Sequence, residues 1–458
     1  MLNKLTIPWT AIMLCIFLML SCNNQKSIED KENGLNEEIQ VSLTNSELLD
    51  MVQQQTINYF WEGAEPVSGL ARERFHTDNS YPYHSKDIIT SGGSGFGLMA
   101  ILVGIERGFI NREEAIERYI KIVDFLERAD RFHGAWPHWL NPDGTVYPFS
   151  PTDNGGDLVE TAFLVQGLLT VKEYLDESEP LEKDLAVRII KLWEDVEWDW
   201  YTRGGEEVLY WHWSPQFGWE MNFPIGGYNE CLILYVLAAA SPTHGIDKKV
   251  YDNGWARSGD ILDDITYYGL ETELDHYEYS NEPVGPLFWA HYSYLGLDPN
   301  GLQDTYADYW KLNTNHALIH YNYCLDNPKG FEGYGANQWG LTSSYSIDGY
   351  SGHSPTNDLG VISPTAALSS MPYTPEQSID FLRQLYSEQD SLMGIYGPYD
   401  AYSNEYNWYL PRYLAIDQGP IPVMIENHRS GLLWNLFMNN EAVQNGLRKL
   451  NFSSPHLQ

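Results

Sequence analysis

The stretch Ser150-Pro151-Thr152-Asp153-Asn154-Gly155-Gly156-Asp157-Leu158-Val159-Glu160 runs directly into an apolar segment, Thr161 to Val171. Two carboxylates four residues apart flank a glycine pair ahead of a helix. Asn154-Gly155-Gly156 cannot continue a helix cheaply, because glycine gives up the most backbone entropy there. Asp157 is then the natural N-cap, and Glu160 three residues on completes an acidic capping box. Asp153 stays on the loop. Paired carboxylates at the mouth of a fold are what glycosidic hydrolysis requires, one to protonate the leaving oxygen and one to activate water. A purely structural reading gives Asp157 a capping role and Asp153 an Asx-turn.

The same architecture recurs outward along the chain. Ser91-Gly92-Gly93-Ser94-Gly95 leads into Phe96–Ile105, and Pro224 to Gly227 leads into Cys231–Ala240. Pro283 to Pro286 leads into Leu287–Leu295, Asn357 to Gly360 into Val361–Leu368, and Gln418-Gly419-Pro420 into Ile421–Phe437. With the opening stretch that makes six glycine- or proline-led apolar segments, spaced about 60 to 75 residues apart. Amphipathic segments alternate with them. Thr44 to Glu47 is a capping box opening a helix through Tyr59, Asn111 opens one to about Arg128, Leu181 to Val196 is another, and Thr374-Pro375 starts one to about Tyr386. Segments apolar all round are buried and one-faced segments lie outside. The pattern predicts an all-α fold, an (α/α)6 toroid of six inner and six outer helices, with the glycine-rich entrances gathered at one rim. That rim would carry Asp153, Asp157, Glu230, Glu282, Asp358 and Asp417, each also explicable by the helix dipole.

Composition bounds the function. The 458 residues carry 43% hydrophobic and 20% charged residues, ordinary for a globular chain with a large core. There are 16 Trp and 32 Tyr, whose flat faces and polar edges suit sugar rings as well as thick cores. The balance of 27 basic against 63 acidic residues leaves a net charge of −36, which repels nucleic acid and anionic lipid and points to an uncharged partner. Four cysteines, two of them in the first 22 residues, exclude a disulfide framework.

Residues 1–22 read as a targeting segment, with Lys4 ahead of a short apolar run ending Leu20-Ser21-Cys22. This end resembles a bacterial lipobox, which makes Cys22 the expected lipid anchor in the envelope of a Gram-negative cell, periplasmic or at the outer membrane. Residues 23–43 are a polar tether, and 44–458 form a single domain. The protein is expected to be a monomer that meets the membrane only through its lipid.

Glu230 precedes an unbroken apolar helix. Flanked by Tyr228 and apolar walls, it is placed to have the raised pKa a general acid needs. The loop aromatics Trp136, Trp139, Trp211, Trp213 and Trp289 are candidate sugar platforms, with Arg74, His138, Tyr228 and Asp400 as further substrate-binding groups. His133 and His138 lack a third ligand at metal-binding spacing, and Gly92 to Gly97 lacks a preceding strand and a P-loop lysine. No metal or other cofactor is expected.

Several blocks in order resemble the glycoamylase-like family, which includes the β-1,2-glucanases of glycoside hydrolase family 144 and proteins labelled glucoamylases. They are Gly69 to Arg74, Ser91 to Gly97, His133 to Trp139, and Ile416-Asp417-Gln418-Gly419-Pro420 running on through Ile425 to Arg429 to Trp434. The resemblance covers nearly the whole chain after the tether. It implies an (α/α)6 barrel and anomer-inverting hydrolysis of glucan, foremost β-1,2-glucan, to short products such as sophorose. It carries the family's aspartate pair onto Asp153 and Asp157 and its glutamate onto Glu230, with Glu230 as proton donor and one aspartate as base. Inversion asks for carboxyls about 6.5–9.5 Å apart. The alternatives are an α-glucan glucoamylase or β-glucosidase-type exo-hydrolase, a non-catalytic glycan-binding lipoprotein, and an epimerase or lyase on the same toroid.

Overall fold

The computed structural model describes residues 43–81, 85–276 and 284–457, except the side chains of 389 and 390. The expected targeting segment with Cys22, all of the tether but residue 43, and Glu282 lie outside the described residues. The chain divides into two compact units, Met1–Leu48 and Leu49–Gln458. In the first, Thr44 and Glu47 close the expected capping box: the Thr44 N–H donates to the Glu47 carboxylate at 2.8 Å, and the Glu47 N–H to Thr44 Oγ1 at 3.3 Å.

The molecule is mostly helical. Helix α1 is Asn45–Trp61, α2 Ser91–Glu106, α3 Arg112–Leu126, α4 Leu158–Tyr174, α5 Pro180–Glu194 and α6 Leu232–Ala240. After them come α7 Tyr309–Asp326, α8 Pro364–Leu368, α9 Pro375–Ser387, α10 Pro420–Ser430, α11 Leu432–Asn439 and α12 Glu441–Lys449. The first fourteen residues of α2 and of α4 and all nine of α6 are buried, whereas α3, α5 and α9 bury one stripe each. Buried and amphipathic helices thus alternate, as the sequence pattern requires. Among the described residues no helix is long and apolar enough to cross a membrane.

Two apolar segments depart from that pattern. Leu287–Leu295 forms two 3-10 turns, Leu287–Ala290 and Ser293–Leu295, and α8 is five residues long. The first is crowded with Phe288, Trp289, His291, Tyr292 and Tyr294 and stops at Gly296. The second runs into Ser369, Ser370 and Pro372. Aromatic crowding, serines that compete for backbone hydrogen bonds, and proline all work against a long helix.

The glycines of Ser91–Gly95 are helical rather than a loop. A Cβ on Gly95 would lie 2.1 Å from the Phe163 carbonyl oxygen, and one on Gly167 would lie 2.2 Å from the Gly95 oxygen. Helices α2 and α4 therefore cross backbone to backbone, which any side chain there would prevent. Tertiary packing repays the helix-propensity cost of glycine.

Short antiparallel strands tie the loops at the N-terminal ends of the buried helices. Strand β1 (Arg74–His76) pairs with a late strand, Arg412–Leu414. Strands β2 (Ile89–Thr90), β3 (Trp139–Leu140) and β4 (Val146–Tyr147) form a three-stranded sheet, and β5 (Gly156–Asp157) pairs with β6 (His212–Trp213). A hairpin, β7 (Ser343–Ser346) and β8 (Gly349–Gly352), turns at Ile347-Asp348.

Candidate active site

These strands and the starts of α2 and α4 enclose a cavity of about 900 Å³. Three carboxylates of its inner wall, Glu73, Glu160 and Glu230, share it with His76, His138, Arg74 and Arg412. Trp139, Trp211, Trp408, Phe149, Tyr345 and Tyr350 supply aromatic wall.

Glu160 stands in the first turn of α4 and is 6% exposed. Its Oε2 accepts the Gly92 N–H at 2.9 Å across the α2–α4 crossing. Burial pushes its carboxyl up to about 7, opposed by the charge of His138 and assisted by Asp157. His138 lies between them, with Nδ1 2.8 Å from Asp157 Oδ2. Burial acts to lower its pKa, but Glu160 and the bond to Asp157 prevail and hold it at about 9, so it is a cation at neutral pH.

Asp157 is fully buried and fully occupied. Its Oδ1 accepts the N–H groups of Val159 and Glu160 at 3.0 and 2.9 Å, the expected N-cap. Its Oδ2 accepts His138 Nδ1 at 2.8 Å and Trp211 Nε1 at 3.0 Å. Four donors leave it no lone pair for a water. The capping box is only half closed, since Glu160 turns to Gly92 and the Asp157 N–H goes to the Trp136 carbonyl. Asp153 is 5% exposed, with Oδ1 3.2 Å from His212 Nε2, and burial and then Asp157 raise its pKa to about 7. Neither aspartate lines the cavity. They sit behind it, and the carboxylate this loop presents is Glu160.

Glu230 lines the cavity immediately ahead of α6, and its carbonyl accepts the Ser293 hydroxyl. Arg74 is ion-paired with Glu73, donates from Nη1 to Tyr345 at 3.0 Å, and lies 5.8 Å over the Trp139 ring. Below the cavity floor, Asp400 Oδ2 accepts the Tyr345 N–H at 2.9 Å and Tyr292 donates to Asp417 Oδ1 at 3.4 Å. Burial raises both carboxyls, Asp400 to about 6.

Of the substrate-binding residues expected from sequence, Arg74, His138, Trp139 and Trp211 line the cavity. Trp136 does not: it is fully buried, donates to the Leu126 carbonyl at 3.3 Å and lies under Arg131. Tyr228 is likewise core, its hydroxyl 2.9 Å from Asn313. Trp289 packs over its own Gly285, and Trp213 abuts His133 and Trp200 outside the cavity. Asp400 lies one layer below. Asp358 of the expected rim is spent on Tyr323, Tyr334 and the Gly360 N–H. A buried indole and an exposed one look alike on a loop.

Residues not singled out from sequence include Glu73, Glu160 as a cavity group, Tyr292, Arg412 and the hairpin tyrosines Tyr345 and Tyr350. Asp348 in the two-residue turn and Gly349 just after it, at φ +117°, are the local signal that marks the last two. His138, Asp153 and Asp157 bring one ligand atom each within 4.8 Å of one another. Both oxygens of Asp157 are already taken by four donors, so this cluster reads as a hydrogen-bonded network.

The site is thus a carboxylate-lined aromatic cavity in a mostly helical fold. The family model described as "Putative glucoamylase" matches residues 222–441. A solved endo-β-1,2-glucanase from Chitinophaga pinensis, complexed with sophorotriose and glucose, is 59% identical, with 91% of this chain and 100% of that chain covered and a TM-score of 0.89. The chain belongs to the glycoamylase-like family.

An exo β-1,2-glucooligosaccharide sophorohydrolase acting at the non-reducing end, from Parabacteroides distasonis, is 44% identical over 89% of this chain. The chain spans 58% of that relative's length. A solved β-1,2-glucanase from the same organism is 44% identical, covering 89% of this chain and 60% of its own, with a TM-score of 0.83. An endo-β-1,2-glucanase from Talaromyces funiculosus shares the fold at 11% identity and a TM-score of 0.60.

Proposed function

We propose that this protein is a glycoside hydrolase that cleaves β-1,2-glucan with inversion at the anomeric carbon, releasing short oligosaccharides such as sophorose. The observation that carries the reading is the convergence of Glu160 and Glu230 on one aromatic-walled cavity, in a chain matched along the whole length of an endo-β-1,2-glucanase. Glu230 gives its proton to the leaving glycosidic oxygen. Glu160, in place of the buried aspartates, takes the proton of the water that attacks from the opposite face. A pKa of about 7 makes Glu160 a stronger base than an exposed carboxylate while leaving it substantially ionised near neutrality. The charge of His138 favours that ionised form. Trp211 offers a ring face to glucose units, Trp139 backs Arg74, and Arg74 and Arg412 offer donors to the sugar hydroxyls.

The finer architecture belongs to the same proposal. The buried and amphipathic helices form an (α/α)6 toroid in which the two 3-10 turns and α8 stand for its fourth and fifth inner helices. Residues 44–458 act as one domain. Cys22 carries lipid, holding a monomer in the cell envelope.

The test is product analysis on linear β-1,2-glucan beside soluble starch, with the anomer of the new end followed over time. Short oligosaccharides from β-1,2-glucan with inverted ends are expected. Glucose from starch alone would move the activity to α-glucan, and retention of configuration would sink inversion and with it the role of Glu160 as the base that activates water.

A further inference from the structure

A second cavity, of about 470 Å³, opens at the other end of α10. Ile416, four residues before α10, lines the catalytic cavity, while Asn427, His428 and Gly431 at its C-terminal end line the second. Asn427 lies eleven positions after Ile416, about 16 Å along a helix, so the two cavities open at opposite ends of this helix. The second is walled by Trp310, Trp434, Asn300, Asp298 and His428.

Its chemistry is specific. Trp310 is half-buried in the first turn of α7, and its neighbouring rings, Tyr373 and Trp434, meet it edge-on at 5.5 and 6.4 Å, so no ring stacks on it. Its indole N–H has no protein partner among the described residues, and neither does the exposed imidazole of His428. Asn300 spends its amide N–H on Asp298 at 2.8 Å and keeps its carbonyl oxygen free. Asp298 is itself held by His456 at 2.9 Å. Among the described residues no Lys or Arg lines the cavity, and the chain carries a net charge of −36, so an anion finds no attraction there. An apolar ligand would strand the indole N–H, the Asn300 oxygen and the His428 nitrogens. What fits is a neutral ring with an apolar face and hydroxyls at its edge.

We propose that this cavity is a second glucan-binding site, taking one or two glucosyl residues of the neutral polymer on Trp310, remote from the cavity where the bond is cut. The inference rests on the reading of the protein as a glucan hydrolase. A site on the far end gives no new chemistry. It raises the local concentration of polymer around the protein, so its effect appears on long chains and vanishes on short ones.

Isothermal titration of the Glu230→Gln chain with β-1,2-, β-1,3-, β-1,4- and α-1,4-linked glucotetraoses separates the possibilities. Two binding events are expected for one linkage. Adding Trp310→Ala should remove one and weaken it at least about tenfold, and adding Trp211→Ala should weaken the other. Asn300→Ala with His428→Ala provides an independent check should Trp310→Ala disturb folding. With Glu230 intact, Trp310→Ala should leave turnover of a tetraose unchanged and raise KM on long glucan. A single event sensitive to Trp211→Ala alone, for every linkage, overturns the second site and leaves the hydrolase reading standing. Two events on α-1,4 chains only keep the second site and move the linkage. Absence of any event sensitive to Trp310→Ala or the Asn300/His428 variant overturns the proposal outright.

Discussion

At the residue scale the site turns on how burial divides labour among neighbouring carboxylates. Asp157 is consumed by four donors, so Glu160, three residues on, is the group left for chemistry. Glu230→Gln and Glu160→Gln should each lower kcat about 10²–10⁴-fold without unfolding the chain, as loss of an acid or base does. Steady-state kinetics alongside circular dichroism checks this, and near-wild-type turnover in either variant would remove that residue from the mechanism. A base must be ionised, so kcat/KM should rise as pH passes about 7. His138→Gln removes the cation that favours ionised Glu160 and should move this acid limb to higher pH. The same variant tests linkage. The folded pKa of His138, about 9, exceeds the ordinary histidine value of about 6.5, so its stabilisation is complete below about 6.5 and lost as pH rises to about 9. Urea midpoints should fall over that window in the parent and fall less in His138→Gln.

At the scale of elements, α4 is the hub. Its N-cap residue also anchors His138 and Trp211, so capping, strand pairing at β5–β6 and cavity wall are one construction. Asp157→Ala should cost on the order of 2–4 kcal/mol, combining a lost cap with two buried donors left unpaired, and chemical denaturation measures it. A cost under about 0.5 kcal/mol, the range of a surface change, would mean the cap is dispensable. Gly95→Ala meets the Phe163 carbonyl and should destabilise by about 1–3 kcal/mol or more by overpacking, while also displacing Glu160 through the Gly92 contact. Reduced melting temperature together with reduced kcat is the expected pair of readings. The glycine-led entrances were legible as helix starts. That Ser91–Gly95 lies inside α2 was not, because propensity alone argues against helix there and the partner helix lies more than sixty residues away in sequence.

At the scale of the whole molecule, a strongly acidic chain whose aromatic cavity sets its carboxylates beside Arg74, Arg412 and His138 suits the proposed neutral polymer, and the proposed lipid places that cavity at the cell envelope. Cys22→Ser should release the protein from the membrane fraction and abolish incorporation of labelled palmitate while leaving kcat on soluble oligosaccharide unaltered. Continued membrane association of the Cys22→Ser chain would point to an anchor other than acylated cysteine.

Periodicity and capping are local, and they determined the helical class, the alternation of buried and one-faced helices, the Asp157 cap, and the loops from which His138, Trp139, Trp211 and Glu230 come. Quoted blocks of residues were enough for the family. Burial and hydrogen-bond saturation are not local quantities. Only the folded chain decided that Trp136 and Tyr228 are core, that Asp153 and Asp157 stand behind the wall, and that Glu73, Glu160, Tyr345 and Arg412 face the cavity. The reason is geometric: a side chain's environment is set by residues tens to hundreds of positions away, as when Gly92 claims Glu160 and Arg412 is brought beside Arg74 by strand pairing.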